Sequence, residues 1–269
     1  MGVYSMYYVF MLGPAGSGKS FLAMAFHNWL EEHGLTTTVV NLDPAADWLP
    51  YTPDVDIRNY VTVDDVMKRY NLGPNGALIA SVDLMLNYVN DLVEEINEEK
   101  PNYVIVDTPG QLEVFAFRKA GPIIIDSLTR GYKSVVLFLV ESQMVLKPAT
   151  LIPLTILSLA TAFSHRKPQL SVITKIDLLS KEEYTQIAKI IENPSDFIIT
   201  LRSSEQIILS EFSFENSYTF VEKIVENYLE NAVMVSALTG DGIDELYAEV
   251  QRVFAGGEDF YTEEPSEIL

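Results

Sequence analysis

Gly13-Pro14-Ala15-Gly16-Ser17-Gly18-Lys19-Ser20 sits between two segments of different periodicity. Upstream, Tyr7-Tyr8-Val9-Phe10-Met11-Leu12 is a continuous apolar run that reads as a buried strand. Downstream, Phe21, Leu22, Met24, Ala25, Trp29 and Leu30 recur at helical spacing, so a helix starts near Gly18. The octapeptide matches G-x-x-x-x-G-K-[ST] in the strand–loop–helix context that gives the match its meaning. A glycine-rich turn at a helix N-terminus points successive backbone N–H groups inward, and the helix dipole adds partial positive charge. Gly13, Pro14, Ala15, Gly16, Ser17 and Gly18 would thus line a concavity suited to a pyrophosphate. Lys19 would reach the outer phosphates, and the Ser20 hydroxyl would ligate Mg²⁺. A glycine turn that merely caps a helix is the bland alternative, but here strand, loop, Lys-Ser and helix are all in register. The expectation is a site for a nucleoside triphosphate.

The rest of the chain sets bounds on that expectation. Its 269 residues, 48% hydrophobic, are enough for a large core, most simply one α/β domain over 1–255 with helical insertions at about 50–100 and 178–231. The formal charge is −20, from 18 Lys and Arg against 38 Asp and Glu. Such a surface repels nucleic-acid phosphates and anionic lipid, so neither nucleic acid nor membrane is an expected partner. With no cysteine, disulfides, thiolate metal sites and cysteine nucleophiles are excluded, which fits a cytoplasmic protein. No targeting segment is evident. The apolar stretch Pro148–Phe163 is too short to span a bilayer and reads as a buried helix. His27, His33 and His165 are scattered and read as structural or solvent-facing. The stretch 256–269 is acidic, without a basic residue, and reads as a flexible tail.

Apolar runs at Thr36–Leu42, Tyr103–Val106, Ser134–Val140, Leu170–Thr174 and Ala232–Val235 follow the first strand. Helical patterns separate them. A short extended piece is expected around Ile57–Val61, then a helix over Val63–Tyr70 and a long helix over Ala77–Glu99. In the long helix Leu78, Val82, Met85, Val89, Leu92 and Ile96 form a heptad-like stripe, suited to the domain's own core or to a second subunit. Helical periodicity also fills 178–231, and a last helix runs over Asp241–Phe254. Strands alternating with helices predict a doubly wound, mainly parallel sheet, the α/β architecture of P-loop NTPases. Ligands then sit at the carboxyl ends of the strands.

Each remaining motif falls at such an end. Asp107 closes the Tyr103–Val106 run and leads into Thr108-Pro109-Gly110-Gln111, so its carboxylate could hold the Mg²⁺ carried by Ser20. Gly110 would let the backbone approach a γ-phosphate, and Gln111 could orient an attacking water. Thr174-Lys175-Ile176-Asp177 fits [NT]-K-x-D, in which the Asp carboxylate accepts two hydrogen bonds from the N1–H and N2–H₂ edge of guanine. Lys175 would cover the ring plane. In Ser236-Ala237-Leu238, the Ala237 N–H would donate to guanine O6. Taken alone, Thr-Lys-Ile-Asp could be an N-cap before a helix; the order of all four motifs points to GTP.

Beyond these motifs lie Leu42-Asp43-Pro44-Ala45-Ala46, Gly73-Pro74-Asn75 and Asp107-Thr108-Pro109-Gly110-Gln111-Leu112-Glu113. With them the chain resembles, from Met6 to about Phe254, the GPN-loop family of P-loop GTPases. Gly-Pro-Asn on its own reads only as a turn. The resemblance implies a homodimer in which Asn75 reaches the partner's nucleotide site, with GTP/GDP and Mg²⁺ as cofactors. It makes Asp43 the switch carboxylate near Mg²⁺ and the water, beside Ser20 and Asp107, and Glu113 a neighbour. It also implies a role in assembling large protein complexes such as RNA polymerase. No arginine lies inside a motif, although Arg118 is close in sequence. Two other readings share the phosphate loop: a P-loop kinase acting on a small-molecule or polynucleotide acceptor, and a scaffold in which nucleotide is never turned over.

Overall fold

The computed structural model describes residues 6–194, 217–230 and 232–256. The continuous apolar runs become strands of one sheet. They are β1 (Tyr7–Leu12), β2 (Thr37–Asn41), β3 (Val55–Asp56), β4 (Tyr103–Asp107), β5 (Lys133–Glu141), β6 (Gln169–Thr174) and β7 (Ala232–Met234). Their order is β3-β2-β4-β1-β5-β6-β7, and every pairing is parallel. Near-continuous apolarity is what a parallel sheet covered on both faces requires. In β1 the alternation is visible residue by residue: Tyr8, Phe10 and Leu12 enter one apolar cluster, Val9 and Met11 the other.

One face is covered by α1 (Lys19–Glu32) and α11 (Ile243–Ala255). The other receives α2 (Val63–Tyr70), α3 (Pro74–Leu84), α4 (Val89–Glu99), α5 (Leu112–Ala116), α6 (Ala120–Leu128), α7 (Ser142–Val145), α8 (Pro148–His165), α9 (Lys181–Glu192) and α10 (Ser217–Glu230). The chain leaves β1 for β2 on one side and later fills β5 on the other, so the crevice at the end of β1 is the topological switch point. Among the described residues no helix is long and apolar enough to cross a membrane.

Four expectations need correction. The helix expected over 77–99 is two helices, parted by a 3₁₀ turn at Met85–Asn87. Its stripe is nevertheless continuous: Leu78, Val82, Met85, Val89, Leu92 and Ile96 are all buried in the chain's own core. The first of these helices starts at Pro74 rather than Ala77, because proline with its fixed φ suits the first helical position. The extended piece expected at Ile57–Val61 is instead the two-residue β3, and Ile57–Asn59 closes into a 3₁₀ turn capped by the Asp56 side chain. Helix α8 is not buried all round. Leu151, Thr155, Ser158, Thr161 and His165 face inward, while Pro153, Ile156, Ala160 and Phe163 are exposed. Hydropathy counts apolar residues but does not say which side faces the sheet. Here the inward hydroxyls of Thr155 and Thr161 are satisfied by the Ile152 and Leu157 carbonyls of the same helix. Within the expected 178–231 insertion, residues 195–216 and 231 lie outside the described residues, as does the acidic tail from 257 onward.

Candidate functional site

Register brings the motifs to one edge. Met11 and Asn41 both lie level with Asp107, so Leu12-Gly13 and Leu42-Asp43 emerge together beside Thr108. On the other half of the sheet Glu141 is level with Thr174, and Ile173 with Met234. All these strands are parallel, so their carboxyl ends share the crevice.

The phosphate loop turns through three glycines with positive φ: Gly13 at 155°, Gly16 at 80° and Gly18 at 91°. At Gly13 a Cβ would lie 2.5 Å from the Leu139 carbonyl oxygen, so only glycine fits. The loop is closed by Ser17 N–H donating to the Pro14 carbonyl, and Gly18 caps α1. Lys19 is buried. Its Nζ donates to the Gly13 and Pro14 carbonyls at 3.0 and 3.2 Å, so the ammonium is held across the loop's own rim. Burial lowers its pKa, against the attraction of Asp107 and Asp43. Pro14 and Ser20 are half-buried, Ala15 and Gly16 exposed.

Two carboxylates, Asp43 and Asp107, lie within electrostatic reach of Lys19. Asp43 Oδ1 accepts from Ala45 N–H and its Oδ2 from Gly110 N–H, joining the segment after β2 to the segment after β4. Burial raises the Asp43 pKa, with those two N–H donors opposing it. Asn41 donates to Asp56 and accepts from Asp43 N–H, while Arg58 grips Asp56 bidentately and donates to the Ala46 carbonyl. The turn 43–46 therefore rests on a fixed polar frame. Asp107 lies almost wholly buried at the end of β4. Its Oδ2 accepts from the Tyr51 hydroxyl at 2.9 Å, and its Oδ1 has no hydrogen-bond partner among the described residues. Burial pushes its pKa up to about 6, against the Ser20 and Tyr51 hydroxyls and the charge of Lys19.

A buried carboxylate oxygen without a donor is an acceptor awaiting a donor or a cation. Hard oxygens from Ser20, Asp43 and Asp107 fit Mg²⁺, so the residues present suit the metal. Among the described residues no cluster of three or more His, Cys, Asp or Glu could hold a metal by itself. Mg²⁺ here would rely on phosphate oxygens and water for its remaining ligands.

The half of the crevice at the ends of β6 and β7 is tied to the phosphate loop by Thr174, whose buried hydroxyl donates to the Ser17 carbonyl at 2.7 Å. Lys175 sits at φ 60° and pairs with Glu141 at 3.0 Å. Asp177 is exposed, and its Oδ1 accepts from the Ser236 hydroxyl at 2.6 Å. The same Ser236 oxygen accepts from the Leu238 and Thr239 N–H groups. Ala237 lies half-buried beside it. The structure thus gathers Gly13–Ser20, Asp43, Asp107 and Gly110 on one side of the crevice, and Thr174, Lys175, Asp177, Ser236 and Ala237 on the other.

Two expected catalytic side chains are not joined to this network. Gln111 is exposed at the start of α5, where its carbonyl, not its amide, accepts from Val114 and Phe115 N–H. Asn75 is exposed in the first turn of α3, and among the described residues no hydrogen bond ties it to the loop. Glu113 is exposed too, and Arg118 pairs with Asp83 on the surface. Sequence reasoning missed Tyr51, Glu141 and the Asn41–Asp56–Arg58 frame. Of these only Asp56-Ile57-Arg58, charged residues around an apolar one at a strand end, left a readable signal.

A family model described as "Conserved hypothetical ATP binding protein" matches residues 11–256. GPN-loop GTPase 3 of Dictyostelium discoideum is 31% identical over 264 residues, covering 95% of this chain and 89% of that protein. GPN-loop GTPase 1 of the same organism is 29% identical over 251 residues. The chain spans about 60% of the length of that relative. A structure titled as a GTPase in apo form from Pyrococcus abyssi superposes with a TM-score of 0.78 at 28% identity, covering 94% of this chain and 99% of that one. Nearly end-to-end likeness to proteins that bear the same Gly-Pro-Asn name, on a fold that superposes over 94% of the chain, means that the chain belongs to the GPN-loop family of P-loop GTPases.

Proposed function

We propose that the chain hydrolyses GTP to GDP and phosphate, slowly and with Mg²⁺, as a homodimeric switch. The observation that carries the reading is the Thr174 hydroxyl on the Ser17 carbonyl, which locks the base-reading turn to the phosphate loop. The family model's description names ATP, while the relatives are named GTPases. Guanine is favoured by the side chains: Asp177 is an acceptor pair aimed by Ser236, and adenine lacks the matching N1–H and N2–H₂ donors.

In this reading the backbone of Gly13–Gly18 and the head of α1 bind the phosphates. Lys19 leaves the Gly13 and Pro14 carbonyls for the outer phosphates, replacing two neutral acceptors by charged ones. Ser20, Asp43 and Asp107 would hold Mg²⁺, which when bound would supply positive charge against the charge developing on the transferring phosphoryl group. Gly110 N–H, now given to Asp43, becomes a donor to the γ-phosphate, which frees Asp43 Oδ2 to orient water while Oδ1 stays on the Ala45 N–H. That exchange is the switch: the 43–46 turn and the Gly110 segment share one hydrogen bond that substrate takes over.

Asn75 is exposed, and among the described residues no hydrogen bond ties it to the phosphate loop, which supports its acting across an interface on the partner's site. Gln111 is likewise exposed and would need to swing inward to orient water. With no arginine inside a nucleotide motif, turnover should be slow, on the order of 10⁻⁴ to 10⁻² s⁻¹. A switch that changes dimer shape suits gripping and releasing a protein cargo, and assembly of large complexes such as RNA polymerase is the role we propose by family. A kinase reading needs a lid rich in arginine, and no such lid is among the described residues. The test is phosphate release per chain over a range of protein concentrations. Specific activity should rise with concentration to a plateau, and Asn75→Ala should lower turnover while leaving GDP affinity within about twofold. Activity per chain that is flat with concentration under dilution to monomer would refute the composite site.

A further inference from the structure

Tyr51 lies in the segment joining β2 to β3, at none of the motifs, yet its hydroxyl is the donor to Asp107 Oδ2 at 2.9 Å. The ring is half-buried and packs against the apolar cluster on the α1 face, so the hydroxyl is delivered from a braced position. The segment itself is pinned at both ends. Asp54 Oδ2 accepts from Val39 N–H after it, and before it Arg58 holds the Ala46 carbonyl. A carboxylate at a strand end can rotate about its Cβ–Cγ bond, a broad torsion with little intrinsic preference. A hydrogen bond to Oδ2 from a fixed donor restricts that freedom and leaves Oδ1, buried and without a hydrogen-bond partner among the described residues, on the carboxylate that also feels the Ser20 hydroxyl.

We propose that Tyr51 is a positioning residue of the Mg²⁺ site: it fixes the Asp107 carboxylate so that Oδ1 is presented to the metal shell beside Ser20. The proposal rests on the GTPase reading above, in which Asp107 and Ser20 serve Mg²⁺. Groups that hydrogen-bond a metal-serving carboxylate orient it, and losing them costs roughly 10- to 100-fold in metal affinity. Tyr51 also ties the segment that carries Asp43 to the carboxylate at the end of β4, so metal affinity and the position of the 43–54 segment are coupled.

The experiment is a Mg²⁺ titration of the GDP-bound full chain, wild type and Tyr51→Phe, following GDP dissociation. GDP affinity in excess EDTA and thermal unfolding are measured alongside. Tyr51→Phe keeps the ring and its packing and removes only the donor. Expected is a roughly 10- to 100-fold weaker Mg²⁺ affinity, with GDP affinity in EDTA and the unfolding midpoint unchanged. A Mg²⁺ affinity within twofold of wild type would overturn the proposal. An equal loss of GDP affinity in EDTA would also overturn it, because a merely structural tyrosine moves both. If wild-type GDP dissociation ignores Mg²⁺ altogether, the reading beneath the proposal fails instead, and the two failures are told apart by the wild-type curve.

Discussion

Among the described residues Asp177 Oδ1 accepts from the Ser236 hydroxyl, and in the proposed function its carboxylate reads the base. Replacing it by asparagine turns half of that acceptor pair into a donor. Asp177→Asn should therefore weaken GTP on the order of 10²-fold, below the roughly 10⁴-fold limit of a fully buried pair, because Asp177 is exposed. The same amide can donate to the 2-oxo group of xanthine, so xanthosine triphosphate should gain. Competition between the two nucleotides for the variant measures both, and unchanged GTP affinity would remove the base assignment. At this scale the sequence was legible wherever backbone geometry and a side chain are needed together. Gly13, Lys19, Asp107 and Asp177 stand where their motifs put them. Tyr51 and Glu141 were not legible, because a donor to a carboxylate 56 residues away, or an anion paired with Lys175 across two strands, leaves no spacing to find. Gln111 was expected to orient water and is exposed instead, while Asn75, expected to act on the partner's site, is exposed in this chain; spacing alone does not say what a second chain or a bound substrate brings to either.

Two elements carry predictions of their own. Helices α5 and α6, which hydropathy did not delimit, meet at Gly121, where a Cβ would lie 1.8 Å from the Phe115 carbonyl oxygen. Alanine gains about 1 kcal/mol of helix propensity over glycine, while overpacking against backbone costs about 1–3 kcal/mol or more. The clash is severe, so Gly121→Ala should lose about 2 kcal/mol in urea denaturation; a stabilised variant would mean that the two helices do not meet as described. At the end of α8, His165 is buried, its Nδ1 accepting from Lys167 N–H. Nε2 therefore carries the proton and donates to Gln169 Oε1. Burial holds its pKa below the usual histidine value, with the Lys167 charge adding to the effect and the Gln169 bond opposing it. The unfolded chain takes up this proton first. The stability from neutral His165 is full above about pH 6.5 and is lost as pH falls through the lower folded pKa. Asp107 works in the opposite sense, being easier to protonate when folded, so wild type must be compared with His165→Gln, which keeps Asp107. Denaturation midpoints between pH 7.5 and 5.5 should fall more steeply in wild type; parallel curves would contradict the histidine's burial. The inside-out character of α8 was invisible in sequence because Pro148–Phe163 carries no charge on either side, and only the sheet decides which stripe is inward.

Over the whole molecule, the alternation of apolar runs with helical periods was enough for a doubly wound parallel sheet, since crossover connections leave few alternatives. The short β3 escaped because a two-residue strand has no period. The sheet's order puts β1 at the centre with a half of the crevice on either side, and in the proposed function one half serves phosphate and metal and the other the base. That division is the account's central claim, under which a triphosphate is split only when the base half accepts the nucleotide. Phosphate release from GTP and from ATP, at equal concentrations with Mg²⁺ and the same protein preparation, tests it most directly. GTP should be hydrolysed slowly, and ATP at least about 10²-fold less efficiently in kcat/KM; equal efficiency with the two nucleotides would contradict it.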